Sequence, residues 1–437
     1  MEKESLDAFS TRSNEFHALG DYGAIKQEAE KLLAADPSDL NCRSYAAAEF
    51  IDASTQLNEL ELADRGIGLI KQLLAESGHV ESSTDRYNLA NGYMARAEML
   101  GKRGQDEQAS EARKQAKTLF QELLVKRMLI APQQLCRIQT NYANLLSDYG
   151  RTIEAIDNYF DCLDIDQNHA MARGNCGIAV KKLLPISAPH HIRNSWLAWH
   201  LLTDACAATE TVISVGGVGA LDYFRKHQSD LETQIEHNIN GGLRALNKWT
   251  LHRSKVHGIP KAPKWLREIS QQRLLMTLNL APLDSLEECV DDLYFQTIST
   301  SIGIDGEARF RSLAHYLNTI KEDFATARYL FHLSGESNNR ELADNSAITR
   351  YANALDYADF GLTNGINKAS FRIAADCLDK IAGFLNEYFR LGLKEKRVDF
   401  AKVWHEKADT DKPIHPILVT ELGTNSFLRA LKEVKDD

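Results

Sequence analysis

The densest group of residues able to do chemistry lies near the middle of the chain. The stretch NKWTLHRSKVHGIPKAPKWLR carries Lys248, Arg253, Lys255, Lys261, Lys264 and Arg267 with no acidic residue, and Trp249 and Trp265 are interleaved among them. Cations beside flat aromatic faces suit phosphate contact and base stacking. Gly258, Pro260 and Pro263 prevent one continuous helix here, so the stretch reads equally well as a solvated linker with its tryptophans anchored on neighbouring cores. Both readings stay open. Elsewhere the residue types that make catalytic centres are present without the spacing. SVGGVGA, from Ser214 to Ala220, lacks the G-x-G-x-x-G and GK[ST] patterns and reads as a break between helices. No H-E-x-x-H, two-histidine-one-carboxylate or G-x-S-x-G pattern occurs, and His190 and His191 are adjacent rather than one helical turn apart. No metal and no cofactor is therefore expected. The seven cysteines, Cys42, Cys136, Cys162, Cys176, Cys206, Cys289 and Cys377, are odd in number and nowhere form C-x-x-C. Reduced core cysteine and a cytoplasmic location follow as expectations.

These residues must be held by helices. The 437-residue chain has 43% hydrophobic and 26% charged residues, but only 25 glycines and 9 prolines, which favours long helices over many short strands. A net charge of −10 argues against a protein that coats nucleic acid through bulk charge, and leaves room for a local basic patch. The N-terminus has no apolar signal segment, and no run approaches the roughly 18–20 apolar residues that span a bilayer, so no membrane association is expected.

Between Asn141 and Leu183, small and apolar residues recur at helical spacing on both sides of Tyr149-Gly150. Ala155, Tyr159, Cys162 and Leu163 make one face of the second helix. Ala143 and Gly177 are 34 residues apart, both small residues at the same point of a first helix. That is the tetratricopeptide period, in which the small residue lets paired helices approach closely. GDYGAIKQEAEKLLAADP, Gly20 to Pro37, supplies a turn, a second helix and a closing proline. YNLANGYMARAEML, Tyr87 to Leu100, supplies another first helix. Three to four units are expected. A stack of this kind offers a groove for a protein partner or peptide, or for another part of the same chain. The organisation read from the sequence is all-α: tetratricopeptide-like repeats over 1–184, a helical extension over 185–247, a basic linker over 248–268, and an α-helical bundle over 269–437.

In the C-terminal half, ARFRSLAHYLNTIKEDFATARYLFHL puts Leu313, Leu317, Ile320, Phe324 and Ala327 on one helix face. KASFRIAADCLDKIAGFLNEYFRLGL does the same with Phe371, Ala374, Leu378, Ile381, Leu385 and Phe389. With SFLRALKEV and a helix expected around LEECVDDLYF, these suffice for a four- or five-helix bundle. LNLAPLD (Leu278 to Asp284), NTIKEDFATARYLFH (Asn318 to His332), NALDYADFGL (Asn353 to Leu362) and the stretch from Ser370 to Trp404 together resemble the HEPN domains found behind helical repeats.

The resemblance implies an all-α domain, often a homodimer, that in many members is a metal-independent ribonuclease of toxins and phage defence. An RNA-targeting effector or effector-like subunit is the function this implies. The alternative is a non-catalytic repeat scaffold or protein-interaction module. The family motif is an arginine followed by a histidine a short way along the helix. The imidazole exchanges a proton near neutral pH, and the guanidinium stabilises charge developing on phosphorus.

The resemblance places that motif at or just beyond NSFLRALKEV, where the residues from Asn425 to Asp437 include no histidine. Two substitutes have the right types. Arg193, followed by Asn194, precedes His200 with six residues between, which returns close to the same helix face. Arg309 and His315 point apart on a helix, whereas Arg311 and His315, four apart, are set to meet. Lys321, Glu322, Arg328, Asp356, Arg372, Asp379 and Lys380 are the other polar residues within the resemblance, and read as charge pairs between helices.

Overall fold

The computed structural model describes residues 6–76, 83–246, 263–281, 290–293, 304–335, 348–349 and 361–436. They divide into two compact units, Met1–Arg253 and Ser254–Asp437. In the first unit the helix boundaries follow local chemistry. Helix α1 (Leu6–Leu19) stops at Gly20, whose φ of 70° suits a residue without a side chain. Asp21 then accepts the Ala24 N–H at 3.0 Å and starts α2 (Tyr22–Ala35). Asp39 accepts the Cys42 N–H at 2.8 Å and starts α3 (Leu40–Leu57). Next come α4 (Leu60–Ala75), α5 (Ser83–Lys102) and α6 (Asp106–Val125). Pro132 opens α7 (Pro132–Tyr149), and Gly150, at φ 88°, closes it where the sequence predicts a break. The series continues with α8 (Thr152–Ile165), α9 (Ala170–Leu183) and α10 (His191–Ala207).

Consecutive helices pack in pairs, α1 on α2 through α9 on α10. That makes five hairpins among the described residues: four lie within 1–184, where three to four units are expected, and the fifth pairs α9 with α10 across residue 184. The pairs stack in register. Arg65 on α4 bonds Glu30 on α2, 35 residues back, with Nη2 2.8 Å from Oε2. Asn175 on α9 donates to Asn144 on α7 at 2.9 Å, 31 residues back, and Lys182 donates to Ser147 at 3.1 Å, 35 residues back. Small residues set the helix separations. A Cβ at Gly66 would fall 2.8 Å from the Ala47 carbonyl oxygen and from Ile51, and one at Gly177 2.8 Å from Leu202 Cγ and 3.0 Å from the Ala198 carbonyl oxygen. Ala143, one period before Gly177, is fully buried.

The span read as an extension from residue 185 continues this stack, with α10 packed on α9. Helix α11 (Thr209–Asn238) leaves α10 at 93° and packs on α9, α10 and α1. Gly217 (φ 73°, ψ 175°) breaks α11 into two limbs within the glycine cluster. A side chain there would lie 3.6 Å from Tyr22 Oη and 3.9 Å from the His17 carbonyl oxygen. Further along, the Phe224 ring covers Gly174 of α9 so closely that a Cβ would fall 2.4 Å from it. The last helix of the unit thus returns to the first.

The second unit is built on two long helices. Helix α12 (Lys264–Gln271) precedes α13 (Ile304–Gly335) and α14 (Leu362–Phe389). Gly383 of α14 sits against Tyr316 of α13, where a Cβ would fall 2.6 Å from the ring. Buried Ser370 donates to the Ala327 carbonyl at 2.7 Å, and Lys380 pairs with Asp323. Arg390 takes the left-handed conformation at φ 52° and ends α14 at Phe389, the last residue of the apolar pattern read from the sequence. Beyond it a core forms from Leu385, Phe400, Val403, Trp404, Leu418 and Leu428, with α15 (Pro416–Thr424) and α16 (Ser426–Asp436) closing over it. The helix expected around LEECVDDLYF is not helical where described. Val290–Leu293 has no regular secondary structure, and the Leu293 N–H donates to the Met276 carbonyl at 2.9 Å. Among the described residues no single helix is long and apolar enough to cross a membrane, and the cysteines at 42, 136, 162, 176, 206 and 377 form no disulfide.

Candidate functional site

Helix α13 presents a polar stripe at Lys321, Arg328 and His332, positions that helical spacing returns to one face. All three hold the segment before the helix. Lys321 donates to the carbonyls of Asp291 and Leu293 at 3.1 and 3.0 Å. Arg328 bonds both oxygens of Asp291, with Nη1 2.8 Å from Oδ1, and also the Leu274 carbonyl at 2.8 Å. The Met276 N–H adds a 2.8 Å bond to the same carboxylate. Burial pushes the Asp291 carboxyl up, but the bonds from Arg328 and Met276 outweigh it and hold it below the ordinary aspartate range. His332 Nδ1 lies 2.6 Å from Glu268 Oε2 of α12. This histidine escaped the sequence reading, although Arg328 and His332 stand four apart in RYLFH, a spacing that puts both on one face.

The other candidates divide into committed and solvent-facing residues. Arg309 donates to the carbonyls of Glu387 (3.5 Å) and Tyr388, where it caps the C-terminus of α14. Arg311 turns back to Glu307, one turn away, rather than forward to His315. Arg311 (75% exposed side chain) and His315, one turn apart and both exposed, nevertheless form an open strip on α13 that combines a cation with the flat face of an imidazole. Such a strip has the donors and the flat surface to meet a phosphate and a base.

Arg193 and His200 belong to α10 in the other unit. His200 stacks on Trp196, with ring centroids 5.8 Å apart at 16°, and lies 3.8 Å from Asp204, which also accepts from Arg173 at 3.0 Å. Of the basic segment, Lys264, Trp265 and Arg267 lie on α12. Lys264 stands 3.7 Å from Glu268, and Trp265 is 43% exposed. Lys248, Trp249, Arg253, Lys255, Lys261 and also Asp356 lie outside the described residues. Asp379 accepts the Phe400 N–H at 2.9 Å and so fixes the turn after α14, while Arg372 is exposed.

Residues 305–437 match the family model of the LA2681-like HEPN domains. No curated protein matches the chain. The matched span takes in the α13–α14 pair, the small core closed by α15 and α16, and three of the four segments that carry the resemblance; LNLAPLD, Leu278 to Asp284, precedes it. The chain therefore bears a C-terminal HEPN-like domain, preceded by stacked helical pairs.

Proposed function

We propose that this chain is an RNA-targeting effector, or an effector-like subunit, of a prokaryotic stress or phage-defence system. The HEPN-like domain acts on or binds RNA, and the hairpin stack, read as tetratricopeptide-like, binds a protein partner or peptide. A cytoplasmic protein that dimerises through the HEPN-like domain fits this reading. The observation that carries it is the family match over residues 305–437. Within the domain, Arg311 and His315 are the candidates whose side chains face solvent, so RNA contact is assigned to them together with the basic segment Lys248, Trp249, Arg253, Lys255, Lys261, Lys264, Trp265 and Arg267.

A second reading, a non-catalytic scaffold, is favoured by one observation. His200 and Arg309 sit where packing or helix capping already employs them. The test is incubation of the full chain with total RNA and tRNA in EDTA, read on a denaturing gel and by gel shift. Discrete products that disappear in His315→Ala support a metal-independent nuclease. Intact RNA with a shifted band supports RNA binding without cleavage. Intact RNA with no shift overturns the RNA reading and leaves the scaffold.

A further inference from the structure

The first two hairpins bring an imidazole against two carboxylates that lie more than 30 residues further along the sequence. His17, on the last turn of α1, faces Glu49 and Asp52 on α3. His17 Nε2 lies 2.9 Å from Glu49 Oε2, and one ligand atom from each of the three residues lies within 4.8 Å of the other two. Three points so spaced have a centre no more than about 2.8 Å from each. Sub-ångström side-chain adjustment therefore brings all three to the roughly 2.0–2.2 Å of zinc–nitrogen and zinc–carboxylate bonds. The donor set is mixed, one imidazole with two carboxylates, and is contributed by two separate helices.

The surroundings favour a held geometry over a chance meeting of charges. Ser13, 2% exposed and one helical turn before His17, donates to the second oxygen of Glu49 at 2.7 Å. That bond fixes the carboxylate with one oxygen turned toward His17, the kind of outer support that orients metal ligands. Tyr22 packs edge-on against the His17 ring, with centroids 5.9 Å apart, and fixes its tilt. Asp52 stands one turn beyond Glu49 on the same face of α3, which brings its carboxylate to the same point.

We propose that His17, Glu49 and Asp52 form a binding site for one divalent first-row transition ion of the zinc class, which fastens α1 to α3. The imidazole favours such an ion over magnesium or calcium, which take all-oxygen shells of six or more. Three protein ligands leave a coordination position for water or an exchangeable ligand. The location gives the ion a structural task. A link between α1 and α3 ties the first hairpin directly to the second. It lies beside the place where α11 reaches α1 at the His17 carbonyl and Tyr22.

The experiment is titration of the metal-stripped full chain with Co²⁺, followed by visible absorption, and then displacement by Zn²⁺. One equivalent of Co²⁺ with the intense bands of a four-coordinate site is expected, lost stoichiometrically to Zn²⁺. Zn²⁺ should raise the midpoint of thermal unfolding, while Mg²⁺ and Ca²⁺ leave it unchanged. Asp52→Asn, which keeps the shape of the side chain and removes its charge, and His17→Gln should each weaken Co²⁺ binding by at least about tenfold. Both should retain the helical far-ultraviolet spectrum of the parent. No absorption band in the parent chain overturns the assignment. So does binding that survives both substitutions, because the ion then sits elsewhere.

Discussion

Exchanging two glycines of α4 separates helix propensity from packing. Gly66 and Gly68 are two residues apart in the same helix (Leu60–Ala75), so Gly→Ala gives each the same propensity gain, about 0.8–1.0 kcal/mol. At Gly68 nothing lies within 4 Å of the new methyl, and Gly68→Ala should keep that gain. At Gly66 the methyl would sit 2.8 Å from the Ala47 carbonyl oxygen and 2.8 Å from Ile51 Cγ1. The first of these is backbone of α3 and cannot rotate aside, so the two helices must separate. Overpacking of this kind costs about 1–3 kcal/mol.

Gly66→Ala should therefore be neutral to about 2 kcal/mol destabilised, with a gap of about 1–3 kcal/mol between the two variants. At about 2 °C per kcal/mol for a unit of this size, the unfolding midpoints should differ by about 2–6 °C, with Gly68→Ala the higher. Scanning calorimetry on the full chain reads this directly. Equal midpoints, or Gly66→Ala the more stable, would refute the view that small residues set the spacing of the stack.

Three further outcomes follow. Asp291→Asn should cost about 1.5–3 kcal/mol at neutral pH. Because the folded carboxyl titrates below its unfolded value near 3.9, its contribution is complete above that value and fades as pH falls through the folded one. Stability of parent and variant should converge in acid titration, and a gap that persists at the lowest pH counts against the Arg328 bond as its source. Trp404→Ala, at a fully buried ring in the core under α15 and α16, should cost about 3–5 kcal/mol in denaturant titration, and Trp404→Phe less. Arg311→Ala and His315→Ala, on the open strip of α13, should each change stability by less than about 0.5 kcal/mol. If the domain cleaves RNA through this strip, cleavage by His315→Ala should fall by about a hundredfold or more, and a rate within a factor of two of the parent removes His315 from the site.

Helical spacing and turn residues made most of the elements legible. Gly20 and Gly150 end helices where expected because only a left-handed residue closes those turns, and the 34-residue step from Ala143 to Gly177 marks equivalent places in neighbouring hairpins. LEECVDDLYF misled because its apolar residues are spaced as in a helix. Asp291 accepts instead from Arg328 and Met276, and the carbonyls of Asp291 and Leu293 accept from Lys321, so this piece is held by α13 and not by a helix of its own. Contacts between distant segments left least trace. Nothing in the sequence announces that Glu268 meets His332, or that His17 meets Glu49 across 32 residues. Arg309 looked like half of a catalytic pair because residue type alone does not show that α14 ends beside it.

The return of α11 to α1 constrains how this chain can evolve. An open stack tolerates gain or loss of a whole hairpin, since each repeat meets only its neighbours and a new end is as good as the old one. Here the last helix must span from α9 and α10 back to the first hairpin, turning at Gly217 beside Tyr22. Removing or inserting one hairpin would move α1 out of its reach and leave both faces bare. The number of hairpins is therefore fixed by closure, and variation is confined to loops and to residues on the outer surface.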